Sequence, residues 1–343
     1  MIKRFFALLV TAALLLSFAC SAQAHETVYD GKRVTLVIGT SSSNDDAVRI
    51  AEAMKLYFGR ALHLADVKIE AVNIDTALQT MRTARPDGLT ILAFHDAVYL
   101  KPLMGGYGKE FSLDHYEICG RYAQNPGCGF LARGDAPFND MKELAEQLAA
   151  DPKAVIRVAL ETGGVSHAAF SVYYAWVKEN YGDQVARQFR VVENGSISAA
   201  RQMLWAGEID LLFADYSSQN QYTKSNTRPE QKMKFVGMLN DVPGVSGLPT
   251  LYGIGVTLGG EPFRFSEDFL LYLPQGTPIE YRETLDDAIA ELEATPGYLD
   301  AMERMFYEPN TLLSYQAERE IRAKAKRMSE ITQVMPPLSE LAE

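Results

Sequence analysis

The chain has 343 residues, a formal net charge of −11 and three cysteines. So acidic a surface argues against nucleic acid as a partner, although a pocket's own field is local and leaves small acids open. With a 24-residue leader removed, about 319 residues remain at a charge of −13. That exceeds the usual size of one hydrophobic core, so two compact lobes are expected.

The N-terminus reads as an export signal spanning 1–24. Lys3 and Arg4 supply the positive start, Phe5 to Phe18 the apolar run, and Ala22-Gln23-Ala24 the small residues of a cleavage site before His25. A lipoprotein reading through Cys20 is the lesser alternative, because Ser17 and Phe18 are poor company for a lipid-modified cysteine. No later stretch reaches about 18 apolar residues without charge.

Beyond the leader, short apolar runs alternate with amphipathic helical patterns. Strands are expected at 34–39, 67–73, 89–94, 116–122, 128–132, 155–160, 188–193, 209–214, 234–239 and 268–273. Helices are expected at 45–60, 74–84, 139–150, 166–181 and 196–206, and helices dominate the C-terminal part. There, Thr277-Pro278 starts a helix, Pro296-Gly297 interrupts, and 314–333 closes the chain as a charged helix. The alternation predicts an α/β fold with mainly parallel sheets built from βαβ units. No Pro/Ser linker separates two domains, which implies that the chain crosses between lobes more than once. Residues 217–233 form a polar run without pattern.

Four strand ends meet polar or small turns: Thr40–Asp45, Phe94-His95-Asp96, Glu161–His167 and Ala214–Ser218. Ligands collect beyond the carboxyl ends of strands in open parallel sheets, so four such turns can face one cleft. The first, Ser41-Ser42-Ser43-Asn44-Asp45, opens a helix whose unpaired N–H groups and nearby hydroxyls suit an anion such as a carboxylate. Taken alone it reads first as a helix cap, since Asn, Asp and Ser cap any helix well. Asp45 and Arg49 are spaced to pair on that helix. In the turn Thr162-Gly163-Gly164-Val165-Ser166, glycines let backbone approach a ligand closely. Neither a P-loop nor GxGxxG is present.

Ser166, His167 and Asp215 resemble hydrolase parts. Adjacent residues at a helix start diverge, however, and no G-x-S-x-G elbow occurs, so catalysis is not expected. Tyr216 and Tyr222 follow a strand end, where lining the cleft and packing are both open to them. Tyr173, Tyr174 and Trp176 sit at helical spacing and are expected in the core. Cys119 and Cys128 flank a short loop and form a candidate disulfide, with two buried thiols as the alternative. No cysteine or histidine spacing suggests a metal or other cofactor.

Other marks carry a resemblance. They are Arg85-Pro86-Asp87-Gly88 before the third strand, Gly207-Glu208-Ile209-Asp210, Leu248-Pro249-Thr250-Leu251 with Gly255, and Pro274-Gln275-Gly276-Thr277-Pro278. Together with Asp45-x3-Arg49 and the run 163–167, the chain resembles the periplasmic substrate-binding proteins of tripartite tricarboxylate transporters, the Bug family. The resemblance implies a type II periplasmic-binding-protein fold, with lobe 1 at 32–122 plus 262–343 and lobe 2 at 123–261. It implies a non-enzymatic periplasmic receptor, monomeric, that holds a small carboxylate and delivers it to large and small membrane subunits. The ligand-binding positions it implies are Ser41, Ser42, Ser43, Asn44, Asp45, His95, Asp96, Ala97, Thr162, Gly163, Gly164, Val165, Ser166 and Asp215, with Tyr216 beside them. Two departures bear on ligand choice. Serines replace the family's usual proline and glycine in the first loop, and the polar run 217–233 follows Asp215. The alternatives are a TAXI-type TRAP receptor and a ligand-presenting sensor for a membrane histidine kinase.

Overall fold

Apolar residues at Arg33–Ile38 form strand β1, with Val34, Leu36, Val37 and Ile38 buried. Burial on both faces is what a parallel strand covered by helices requires. In the computed structural model, residues 27–40, 46–105, 107–194, 196–331 and 338–341 are described. The first half continues with α1 (Asp46–Ala61), β2 (Asp66–Ala71), α2 (Ile74–Thr83), β3 (Thr90–Phe94), α3 (Ala97–Met104) and β4 (Tyr116–Asn125). There follow β5 (Cys128–Arg133), α4 (Met141–Ala150), β6 (Ile156–Leu160), α5 (Val165–Tyr181), the short α6 (Asp183–Ala186) and β7 (Phe189–Glu193). Next come α7 (Ile197–Ala206), β8 (Leu211–Asp215), α8 (Tyr216–Gln219) and β9 (Met233–Met238). The remaining elements are β10 (Thr257–Leu258), β11 (Glu261–Pro262), β12 (Glu267–Pro274), α9 (Ile279–Leu292), α10 (Pro296–Arg304), α11 (Ser314–Ile331) and α12 (Leu338–Leu341).

The strands build two five-stranded mixed sheets, ordered β2-β1-β3-β12-β4 and β7-β6-β8-β5-β9. In the first, β1 runs parallel to β2 and β3, while β12 lies antiparallel between β3 and β4. In the second, β6 is parallel to β7 and β8, and β5 is antiparallel to β8 and β9. The chain leaves the first sheet through β4, turns at Pro126-Gly127 into β5, and returns through β12. Each sheet and its covering helices is called a lobe below.

Local chemistry sets several boundaries. Asn73, Asp140 and Ser196 cap α2, α4 and α7 through side-chain acceptors. Gly207, left-handed at φ +75°, ends α7. Sequence patterning missed α3, because Ala97, Val98, Tyr99 and Leu100 are all buried and show no helical period. It also missed the β10–β11 ribbon. Gly259 and Gly260 turn it with φ of +62° and +83°, the two positive values a tight hairpin needs. The polar run resolves into α8 and short 3-10 turns at Asn220–Thr223 and Pro229–Gln231.

The candidate disulfide is not formed; Cys119 and Cys128 are buried free thiols. Strand β4 carries the chain from Cys119 to Asn125 in extended form, about 20 Å at ~3.3 Å per residue. A disulfide needs Cα atoms within about 7 Å.

Candidate functional site

The turn Ser41, Ser42, Ser43, Asn44, Asp45 lies outside the described residues. The next residue, Asp46, opens α1 and is buried at 6% exposure. Its carboxylate pairs with Arg49, accepts from Tyr307 Oη at 2.9 Å, and accepts from the Ser217 hydroxyl. Arg49 thus meets Asp46, one turn back on the same helix. Ser217 belongs to α8 in the second lobe, so this bond crosses between lobes.

A second crossing lies at the loop between β6 and α5. Lys101, on α3 of the first lobe, donates to Thr162 O at 2.9 Å and stands 3.4 Å from Glu161 Oε1. The loop is internally braced. Gly163 N donates to His167 Nδ1 at 3.1 Å, and Glu161 N donates to Ser166 Oγ at 3.0 Å. Gly163 is left-handed at φ +75°, and a Cβ there would lie 2.9 Å from Lys101 Cδ. The first backbone bond of α5 runs from Ala168 to Gly164. The N–H groups of Val165, Ser166 and His167 are therefore the helix's unpaired amides. Ser166 and His167 bond to Glu161 and Gly163 rather than to each other, which leaves no nucleophile–base pair. Burial, only weakly opposed by Glu193, lowers the His167 imidazole to about 4.

These two crossings show that the carboxyl ends of strands in the two sheets face each other. Between them lies a polar floor. Asn125 Nδ2 donates to Asp215 Oδ1 at 2.7 Å and to Glu267 Oε2 at 3.2 Å, and its Oδ1 accepts from Gly127 N at 2.9 Å. Asparagine is the residue that can serve both carboxylates and a backbone amide at once. His95, at the end of β3, places Nδ1 3.8 Å from Glu267 Oε1 and contacts the rings of Phe94 and Phe269. Ala97 opens α3, its N–H directed to His95 Nδ1 at 3.4 Å.

Cys128, Asp215 and Glu267 bring their ligand-type atoms within 4.8 Å of one another. Burial, reinforced by the Glu267 and Asp215 carboxylates, pushes the Cys128 thiol well up, and it donates to Asp215 Oδ1 at 3.4 Å. A protonated thiol beside two carboxylates already bonded by an amide suits a hydrogen-bond network better than a divalent ion.

Asp96 is corrected by the structure. It is 0% exposed and faces inward, accepting from Tyr99 Oη at 2.6 Å and Asp268 N at 2.6 Å, with Lys324 Nζ at 2.8 Å. These bonds brace the turn that presents His95 and leave the Asp96 side chain no exposed surface. Burial raises its carboxyl, with Lys324 offsetting part of the rise. Asp268 also suffers burial, but Lys324 and Arg121 outweigh it and hold that carboxyl below its usual range. Tyr216 packs its ring against Phe235 and Phe306, at centroid distances of 5.4 and 5.0 Å.

Sequence reasoning missed Asp46, Asn125, Ser217, Glu267, Lys101 and Tyr307. Ser217 stood in a turn already singled out, and Asn125 in the short loop between Cys119 and Cys128. Glu267 sits at the start of a strand, and Tyr307 follows a helix with no motif to mark it.

The fold is that of known periplasmic binding proteins. A structure of the periplasmic binding protein BugD superposes with TM-score 0.70 at 20% identity, covering 89% of this chain and 99% of that one. MatC from Rhodopseudomonas palustris with bound malate gives TM-score 0.66 at 17% identity, covering 88% and 99%. An R. palustris protein with adipate gives 0.70 at 14%, covering 88% and 97%. No family model matches the chain, and no curated protein matches it in sequence. Among the described residues, no helix is long and apolar enough to cross a membrane.

Proposed function

We propose that this chain is a periplasmic solute receptor of the tripartite tricarboxylate transporter type, without enzymatic activity. It captures a small carboxylate-bearing molecule between its lobes. The observation that carries this reading is the meeting of strand ends from both sheets around the unpaired amides of α5. Structural likeness to proteins solved with malate and adipate supports the ligand class. The lobes are placed at 32–122 plus 262–343 and at 123–261, with an export signal at 1–24. Delivery would be to large and small membrane subunits, the receptor acting as a monomer.

The ligand carboxylate is assigned to the N–H groups at Val165 and Ser166, with the 41–45 turn opposite. Hydrogen bonds to an ionised group gain strength as closure excludes water. Asp215, Glu267 and Asp46 would repel a bare polyanion. Their presence favours an acid that also carries an amine or hydroxyl, for which these carboxylates are acceptors.

A thermal-shift screen of the mature chain against malate, adipate, amino acids, neutral sugars and polyamines tests the class. A rise in melting temperature with one or more acids, lost when Asp215 is changed to Asn in the amine-bearing cases, is expected. Stabilisation by sugars or polyamines and by no acid would overturn the reading.

A further inference from the structure

A groove of about 510 Å³ meets the cleft at Tyr307 and otherwise lies outside the residues assigned to it. One wall is α10 and the segment after it, with Leu299, Met302, Phe306 and Tyr307; the other is the second-lobe loop at Pro243-Gly244. Its volume is that of small-molecule sites. Leu299 and Met302 lie one turn apart on one face of the helix, and Phe306, beyond its end and left-handed at φ +58°, turns back to join them. Asp300, Glu303 and Glu308 also line the groove. Among the described residues none of these three carboxylates makes a hydrogen bond or ion pair through its side chain. Arg304, the next residue of the helix, does not line it.

We infer that this groove binds an organic ammonium ion with an apolar body. Leu299, 37% exposed, and the half-buried Phe306 offer apolar surface for an occupant to cover over the buried Met302, and the unpaired carboxylates give a local negative field. The Phe306 and Tyr307 rings add the quadrupole attraction that favours a cation over a neutral molecule of equal size. An anion is disfavoured by the same groups. Tyr307 also bonds Asp46 through its hydroxyl, so it is the shared wall between groove and cleft. Phe306, at φ +58°, contacts Tyr216 of the second lobe. An occupant therefore touches both lobes and favours the arrangement in which they meet.

The test titrates the full mature chain calorimetrically with phenethylamine, and with 2-phenylethanol and phenylacetate as neutral and anionic matches in shape. One-site binding of phenethylamine is expected, about tenfold tighter than either match. The double change Glu303→Gln and Glu308→Gln should erase about that tenfold preference, and Asp215→Asn should leave it intact. Both altered glutamates avoid the core, so an unchanged melting temperature serves as the folding control. Equal binding of 2-phenylethanol would overturn the assignment by showing a merely greasy groove. Loss of binding on Asp215→Asn, with no response to the glutamine changes, would overturn it by placing the amine in the interlobe cleft. Absence of saturable phenethylamine binding would also overturn it. None of these results bears on carboxylate capture, which the thermal-shift screen reads separately.

Discussion

His167 shows how a side chain singled out for possible chemistry is used by the backbone. Its Nδ1 accepts from Gly163 and its ring is buried, so its pKa falls from the ordinary 6.5 to about 4. As pH drops, the unfolded chain takes up this proton first. The associated stability is complete above the unfolded value and is lost between about pH 6.5 and 4. Urea unfolding at pH 7 and pH 5 should differ by roughly 1–2 kcal/mol through this group. His167→Gln keeps an acceptor for Gly163 and should remove that part of the difference; an unaltered pH dependence would refute the account. Ser217 makes a complementary case. Ser217→Ala deletes the donor to Asp46 while Tyr307 and Arg49 remain. Stability should fall by about 1 kcal/mol or less. The ligand-free radius of gyration should rise in small-angle scattering as the lobes part, and an unchanged radius would show that this bond does not hold them.

At the scale of elements, the buried ion group around Lys324 matters most. Helix α11 sends Lys324 to Asp96 at the start of α3 and to Asp268 at the start of β12, at 2.8 and 2.6 Å. Arg121 of β4 meets Asp268 at 2.6 Å. The C-terminal helix, the turn carrying His95 and both crossing strands are thereby fixed to one another. Removing one partner of such a group leaves a buried charge uncompensated, so Lys324→Met should cost about 3–5 kcal/mol in denaturant unfolding. A cost below about 1 kcal/mol would show the group to be dispensable. The loop before α5 gives a second element-scale prediction. Gly163→Ala places a Cβ against Lys101 at a left-handed φ. It should weaken ligand affinity more than overall stability, because the strain falls on the interlobe contact.

These elements also show what was legible in the sequence. The alternation of strand and helix was, because buried parallel strands read as apolar runs and their covering helices as amphipathic ones. The place of 162–166 and 215 at strand ends was legible too, because strand ends are marked by turn residues. The partner of Asp96 was not legible, since it is a lysine 228 residues later in the chain, and the carboxylate is buried against it. Tyr307, Glu267 and Lys101 were invisible, because each meets its partner, Asp46, Asn125 and Thr162 respectively, only across a long separation in the chain. A pairing across such a separation leaves no local period.

For the whole molecule, the account joins an acidic chain, a two-lobed fold and a cleft whose donors are mainly backbone amides while its side-chain floor holds carboxylates. On the proposed function, that combination would favour a ligand able to present an anionic end to α5 and a donor to Asp215 and Glu267. The most direct test is a crystal structure of the mature chain grown with the tightest-binding acid from the thermal-shift screen. The account predicts that acid between the lobes, one carboxylate within hydrogen-bond distance of the Val165 and Ser166 amides, and an amine or hydroxyl facing Asp215. A ligand bound with its carboxylate remote from α5, or outside the interlobe cleft altogether, would contradict it.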